Sequence, residues 1–302
     1  LHDLSDSEPK LRKKAAKALG GNFKKHIHLF SLITNTLAKD KEVDDRWRNF
    51  SMPQSSRNLE NLVEDDVVEA LVNSVQSAYP MLSHRYYKLK ARWFGKRKLD
   101  YWDRNAPLPE DGNHSIPWNT AKEIVIAAYQ SFSPELSKIG KSFFENKWID
   151  AQPRFGKVGG AFAHPTVPSV HPYLLVNYMG RPRDVMTLAH ELGHGVHQVL
   201  ASPQGHLKCN TPLTLAETAS VFGEMLAFRS LLDNENNLER KKVMLAGKVE
   251  DMLNTVVRQI AFYQFELQVH NARRMGEISA EQICQIWMGV QRNSLGPSIR
   301  LH

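Results

Sequence analysis

The stretch Thr187-Leu188-Ala189-His190-Glu191-Leu192-Gly193-His194-Gly195-Val196-His197-Gln198 carries two histidines four residues apart, with a glutamate directly after the first. Its pattern predicts a helix that begins near Pro182, where proline suits a first turn, and runs to about Ala201. On a helix, residues four apart stand one above the other on the same face. His190 and His194 therefore present two imidazoles to a single ion, with Glu191 close to the same side. An amphipathic helix that happens to carry these residues is the plainer alternative. A lone histidine would suit it, whereas the pair with its adjacent glutamate fits a divalent metal site. Zinc takes two nitrogens and one oxygen and leaves a fourth position for water.

A third ligand has to come from elsewhere. His197 follows His194 by only three residues, whereas the metzincin pattern sets its third histidine six beyond the second. Thr214-Leu215-Ala216-Glu217-Thr218-Ala219-Ser220-Val221-Phe222-Gly223-Glu224 predicts the start of a second helix. Glu217 in its first turn reaches a metal on the neighbouring helix, yet Thr214-x-x-Glu217 is equally a capping box. Glu224, two turns later on the same face, is either a rival ligand or the partner that orients a metal-bound histidine. The residues alone leave these readings open.

Outward from this centre most of the chain reads as helix. Ser7 and Pro9 open one, which Gly20-Gly21 is expected to stop. Phe23, Ile27, Phe30, Ile33 and Leu37 form an apolar stripe on the next, over about 22–38. Helical periodicity resumes over about 65–78 and 82–94. Tyr101–Pro117, with Pro107, Pro109, Gly112 and Pro117, reads as a loop. Two helices follow over about 119–132 and 134–147, the second opened by Ser133-Pro134. Between residues 154 and 180 glycines alternate with short apolar pieces, and Tyr173-Leu174-Leu175-Val176-Asn177-Tyr178-Met179 reads as a strand. Helices then continue to about Gly289. The expected division is a helical segment over 1–64 and a main domain over 65–302.

Composition excludes several classes. At 302 residues, 42% hydrophobic and 24% charged, the chain has enough apolar material for a core, so disorder is not expected. No apolar run approaches the ~20 residues needed to span a bilayer, and the first residues lack the basic start and apolar stretch of a secretory signal. A cytoplasmic protein without membrane contact is the expectation. Two cysteines, Cys209 and Cys284, make neither a disulfide framework nor a metal-binding pair. Net charge is +7, with the densest basic run at Lys88–Lys98. No phosphate loop, zinc finger or RNA-binding signature accompanies that run, so it reads as a solvated helix face and nucleic acid is not expected as a partner.

The chain resembles the zinc peptidases of the oligoendopeptidase F and thimet oligopeptidase family, the bacterial oligoendopeptidase F branch in particular. The resemblance rests on His190 through Gln198, on Ala216-Glu217-Thr218-Ala219-Ser220, and on Gly159-Gly160-Ala161-Phe162-Ala163-His164 and His171-Pro172-Tyr173-Leu174-Leu175-Val176-Asn177-Tyr178. It implies a mainly α, zincin-type fold with a small β-sheet next to the zinc helix, and hydrolysis of short peptides. It also implies Zn²⁺ held by His190, His194 and Glu217, with Glu191 activating water. By the same resemblance Gly160, Ala161, Phe162, His164, Tyr173 and Tyr178 line the cleft and bind peptide backbone, as strand addition does elsewhere. Relatives supply further oxyanion donors from a His and a Tyr-rich segment well C-terminal to the metal motif, and no Tyr follows Tyr263 here. The expectation is a chain truncated at both ends, with an impaired catalyst or a helical binding module as the alternative to an active endopeptidase.

Overall fold

The computed structural model describes residues 2–108 and 115–302. Pro109 and Gly112 of the expected loop lie outside them. In chain order the helices of the N-terminal part are α1 (Pro9–Lys25), α2 (Ile27–Trp47), α3 (Ser55–Glu60), α4 (Asp65–Ala78) and α5 (Arg85–Trp93), with a π-turn at Pro80–His84 before the last. After β1 (Leu99–Asp100) come α6 (Trp118–Phe132), α7 (Pro134–Glu145), β2 (Ile149–Asp150), β3 (Phe162–His164) and β4 (Tyr173–Leu175). The chain continues through α8 (Pro182–Ala201), α9 (Leu213–Asn234), α10 (Leu238–Met275), α11 (Ala280–Leu295) and β5 (Ile299–Arg300). Among the described residues no helix is long and apolar enough to cross a membrane.

Two compact units result, one of Leu1–Asp111 with Val243–His302, the other Gly112–Lys242. In the first, β1 and β5 pair in parallel, Leu99 opposite Ile299, over a core that includes Tyr86, Tyr87, Leu253 and Leu295. Several expectations change here. Gly20 and Gly21 sit inside α1, and the chain breaks at His26 instead (φ −111°, ψ 17°). Two helical glycines cost about 1 kcal/mol each, but they follow the strong helix formers Lys13 to Lys17. The start of α1 also differs: its N-cap is Glu8, and no side chain caps it.

The predicted stripe faces outward and spans two helices: Phe23 near the end of α1, and Phe30, Ile33 and Leu37 on α2, are all exposed. Polar contacts fix that orientation. Asn35 Nδ2 donates to Ile278 O (2.8 Å) while its Oδ1 accepts from Ile278 N (3.0 Å), and the buried Asp45 pairs with Arg274 (3.2 Å). Nor is the basic run wholly solvated. Lys90 is fully buried, donating to both oxygens of Glu250 and to Arg104 O. A buried amine persists because every donor finds an acceptor.

The second unit holds the site. Its core joins α6, α7, α8 and β4 through Tyr129, Phe143, Leu174, Leu188, Leu192 and Val196. Ser133 caps α7 by accepting from Leu136 N (3.3 Å), as Ser-Pro predicts. The sheet order is β2-β4-β3, with β2 parallel and β3 antiparallel to β4, His164 opposite Tyr173. The predicted strand over 173–179 is shorter as a ladder, although Val176 and Tyr178 still donate to Asp150 O and Ala151 O.

Candidate metal centre

α8 runs over Pro182–Ala201, as its sequence predicts, and presents His190, Glu191 and His194 toward the start of α9. Glycine brings the two helices together. A Cβ on Gly193 would stand 2.7 Å from Ala219 O and 2.8 Å from Ser220 Cα, so only hydrogen fits there. Tyr129, fully buried, donates its hydroxyl to Ala189 O (2.7 Å) and fixes α8 from the α6 side.

This approach lets a glutamate on α9 reach histidines on α8. His190 Nε2 lies 3.2 Å from Glu217 Oε2 and His194 Nε2 lies 3.5 Å from Glu217 Oε1. One ligand atom from each of the three residues falls within 4.8 Å of the others. Ligands about 2.1 Å from a tetrahedral ion stand about 3.4 Å apart, so this donor set suits a divalent cation. The capping alternative is not what forms. The N-cap of α9 is Pro212, and Glu217 instead accepts from Ser220 Oγ (2.7 Å). Ser220 is fully buried and holds the carboxylate from behind. Glu224 meets the far nitrogen of His190, Nδ1 to Oε2 3.2 Å. A proton on Nδ1 there leaves the Nε2 lone pair facing the cluster.

Electrostatics follow from crowding three carboxylates and two imidazoles. Glu191 is buried, and that burial, opposed by His190 and reinforced by Glu217, pushes its pKa up to about 7. Burial pulls His190 down, but its bond to Glu224 and the charges of Glu191 and Glu217 outweigh it, and the net shift is upward. His194 moves down: burial, with His190 and His197 nearby, exceeds the pull of Glu217 and the Ala216 backbone.

The other candidate residues divide into two groups. Phe162 and His164 lie exposed on β3, with Tyr173 exposed across the ladder, while Ala163 packs into the core. β3 is an end strand, so its outer edge is unpaired among the described residues. Gly160, at φ +86°, and Ala161 lead into it. Tyr178 is engaged in the fold, donating to Ile116 O (2.6 Å) with its ring edge-on to Trp118. Sequence reasoning missed the clamp on the preceding loop. Lys157 donates to Asp150 and to Val176 O, and Asn177 donates to both Val158 O and Gly160 O.

A mainly helical unit with a three-stranded sheet beside a His-Glu-x-x-His helix, completed by a glutamate from the next helix, defines the class. The chain belongs to peptidase family M3, whose model matches residues 4–301. It is 27% identical over 272 residues to the plasmid-encoded oligoendopeptidase F of Lactococcus lactis subsp. cremoris, covering 89% of this chain and 44% of that protein. It is 24% identical over 298 residues to oligopeptidase PepF of Bacillus subtilis, covering 98% and 44%. Among solved structures, a chain from Chlamydophila abortus superposes with a TM-score of 0.86 at 22% identity, covering 99% of this chain and 50% of its own. Oligoendopeptidase-F from Enterococcus faecium does so with a TM-score of 0.71 at 21% identity, covering 99% and 46%. The chain thus spans about half the length of the curated relatives it matches.

Proposed function

We propose that this chain carries the catalytic centre of a zinc-dependent endopeptidase acting on short peptides. The observation that carries the reading is the meeting of one nitrogen each of His190 and His194 with a Glu217 oxygen, all within 4.8 Å of one another, with Glu191 next in sequence to the first. In this reading those three residues hold Zn²⁺. When bound, zinc polarises a scissile carbonyl and acidifies water. Glu224 keeps the proton on His190 Nδ1, which fixes the tautomer and raises the basicity of the opposite nitrogen. Glu191 takes a proton from the attacking water and passes it to the leaving amine; its burial keeps the carboxylate basic enough for that exchange, and the cation lowers its pKa from the metal-free value. Positioned acid–base catalysis of this kind contributes about 10²–10⁴-fold.

Peptide substrate fits along β3, whose unpaired edge offers backbone N–H and C=O groups, with Gly160 and Ala161 at one end and Phe162, His164 and Tyr173 facing outward. Tyr178 takes a supporting part through Ile116. The test is metal analysis joined to an assay on a short quenched peptide. Glu191→Gln is expected to retain one zinc per chain and to lose hydrolysis, because an amide keeps the shape and cannot accept the proton. Hydrolysis within a few-fold of the parent in zinc-loaded Glu191→Gln would refute the assignment.

A further inference from the structure

A cavity of about 510 Å³ lies within the unit formed by residues 1–111 and 243–302, and its residues play no part in the reading above. Gln76 of α4, Gln264 and Gln268 of α10, and Arg292 and Asn293 of α11 line it, with Tyr79 just beyond the end of α4. Gln264 and Gln268 share one face of α10 because they are four residues apart. No side chain among these six makes a hydrogen bond or ion pair with another described residue. Tyr79 is buried, and burial raises its pKa, so its hydroxyl stays a neutral donor. Among the described residues no carboxylate lines the cavity.

In this lining one guanidinium, Arg292, stands among amides, and no carboxylate of the described residues joins it. A primary amide both donates and accepts, which matches the N–H and C=O of a peptide unit, and the guanidinium fork matches a carboxylate. The volume is that of a small-ligand site. We propose that this cavity binds the C-terminal end of a short peptide, its carboxylate on Arg292 and its last peptide groups on Gln76, Gln264 and Gln268. The metal centre has no part in the proposal, so the two stand or fall separately.

Calorimetric titration of the 302-residue chain with N-acetylglycylglycine, with its C-terminal amide and with inorganic phosphate tests it. The acid is expected to bind saturably, and about fivefold more tightly than the amide, the scale of one solvent-exposed ion pair. Binding is expected to survive His194→Ala, which disables the metal centre. Arg292→Met, at an exposed position, should erase the acid–amide difference. Gly289→Leu should abolish binding, since Gly289 lines the cavity and nothing stands within 4 Å of where its Cβ would be; circular dichroism checks that α11 is intact, and Arg292→Met carries the test if it is not. Absence of binding, equal affinity for acid and amide, displacement by equimolar phosphate, or loss of binding in His194→Ala would each overturn the proposal.

Discussion

Gly193→Ala asks for one methyl group where the structure has no room for it. The added Cβ would stand 2.7 Å from Ala219 O, and ordinary contact begins at 3.4 Å. α8 and α9 must therefore separate by about 0.7 Å or the backbone must bend, and overpacking of this kind costs about 1–3 kcal/mol. The metal is affected as well as the fold. Glu217 rides on α9 within one turn of the contact, and a metal site tolerates only about 0.2 Å in its ligand distances. Zinc affinity is expected to fall about 10–100-fold, the cost typical of disturbing the groups that aim a ligand. Thermal unfolding reads the first effect and competition with a chromogenic chelator reads the second. Gly247→Ala in α10, with nothing near its Cβ, is the control and should be neutral or slightly stabilising. A Gly193→Ala protein as stable as the parent, with undiminished zinc affinity, would show that the close helix approach does not set the geometry of the site.

Two further outcomes follow from the ligand set and from a buried ion pair. Glu217→Ala should lose most of its zinc, whereas Glu224→Ala should keep the metal and bind it more weakly; the reverse order in metal analysis would exchange their roles. Asp103 is fully buried against Arg12 (2.8 Å) and also pairs with Lys96; burial alone would raise its pKa, but these two cations hold it below the usual carboxylate range. A depressed native pKa stabilises the fold above the unfolded value of about 3.9 and ceases to do so as pH falls through the native one. Asp103→Asn should thus cost about 3–5 kcal/mol at neutral pH, and denaturant titrations should show the gap to the parent narrowing below about pH 4. A gap that stayed constant with pH would rule out ionisation as its source.

The helix that carries the centre was legible because every feature that defines it is local. Proline at its first turn, histidines at a four-residue step and an apolar remainder all lie within twenty consecutive residues, and α8 has the predicted bounds. The α2 stripe misled for the converse reason. Periodicity locates an apolar face but not what stands opposite it, and the orientation of α2 is decided by Asn35 reaching Ile278 and Asp45 reaching Arg274, partners more than two hundred residues away. Lys90 is the same case: a lysine in a basic run looks solvated until α10 delivers Glu250.

Glu217, the proposed third ligand, lies between these extremes. A glutamate three residues after a threonine satisfies a capping box as well as it satisfies a metal, and no spacing rule separates the two. What separates them is that α9 starts at Leu213, with Pro212 as its cap, which leaves Glu217 without a capping task and within reach of α8. The sequence does hold a trace of that approach, in Gly193 on one helix and the run Ala219-Ser220 on the other, but small residues acquire this meaning only once the two segments are known to cross. Side chains that share one helix can be placed together from the chain; a carboxylate brought in across a helix contact becomes readable only with the contact itself.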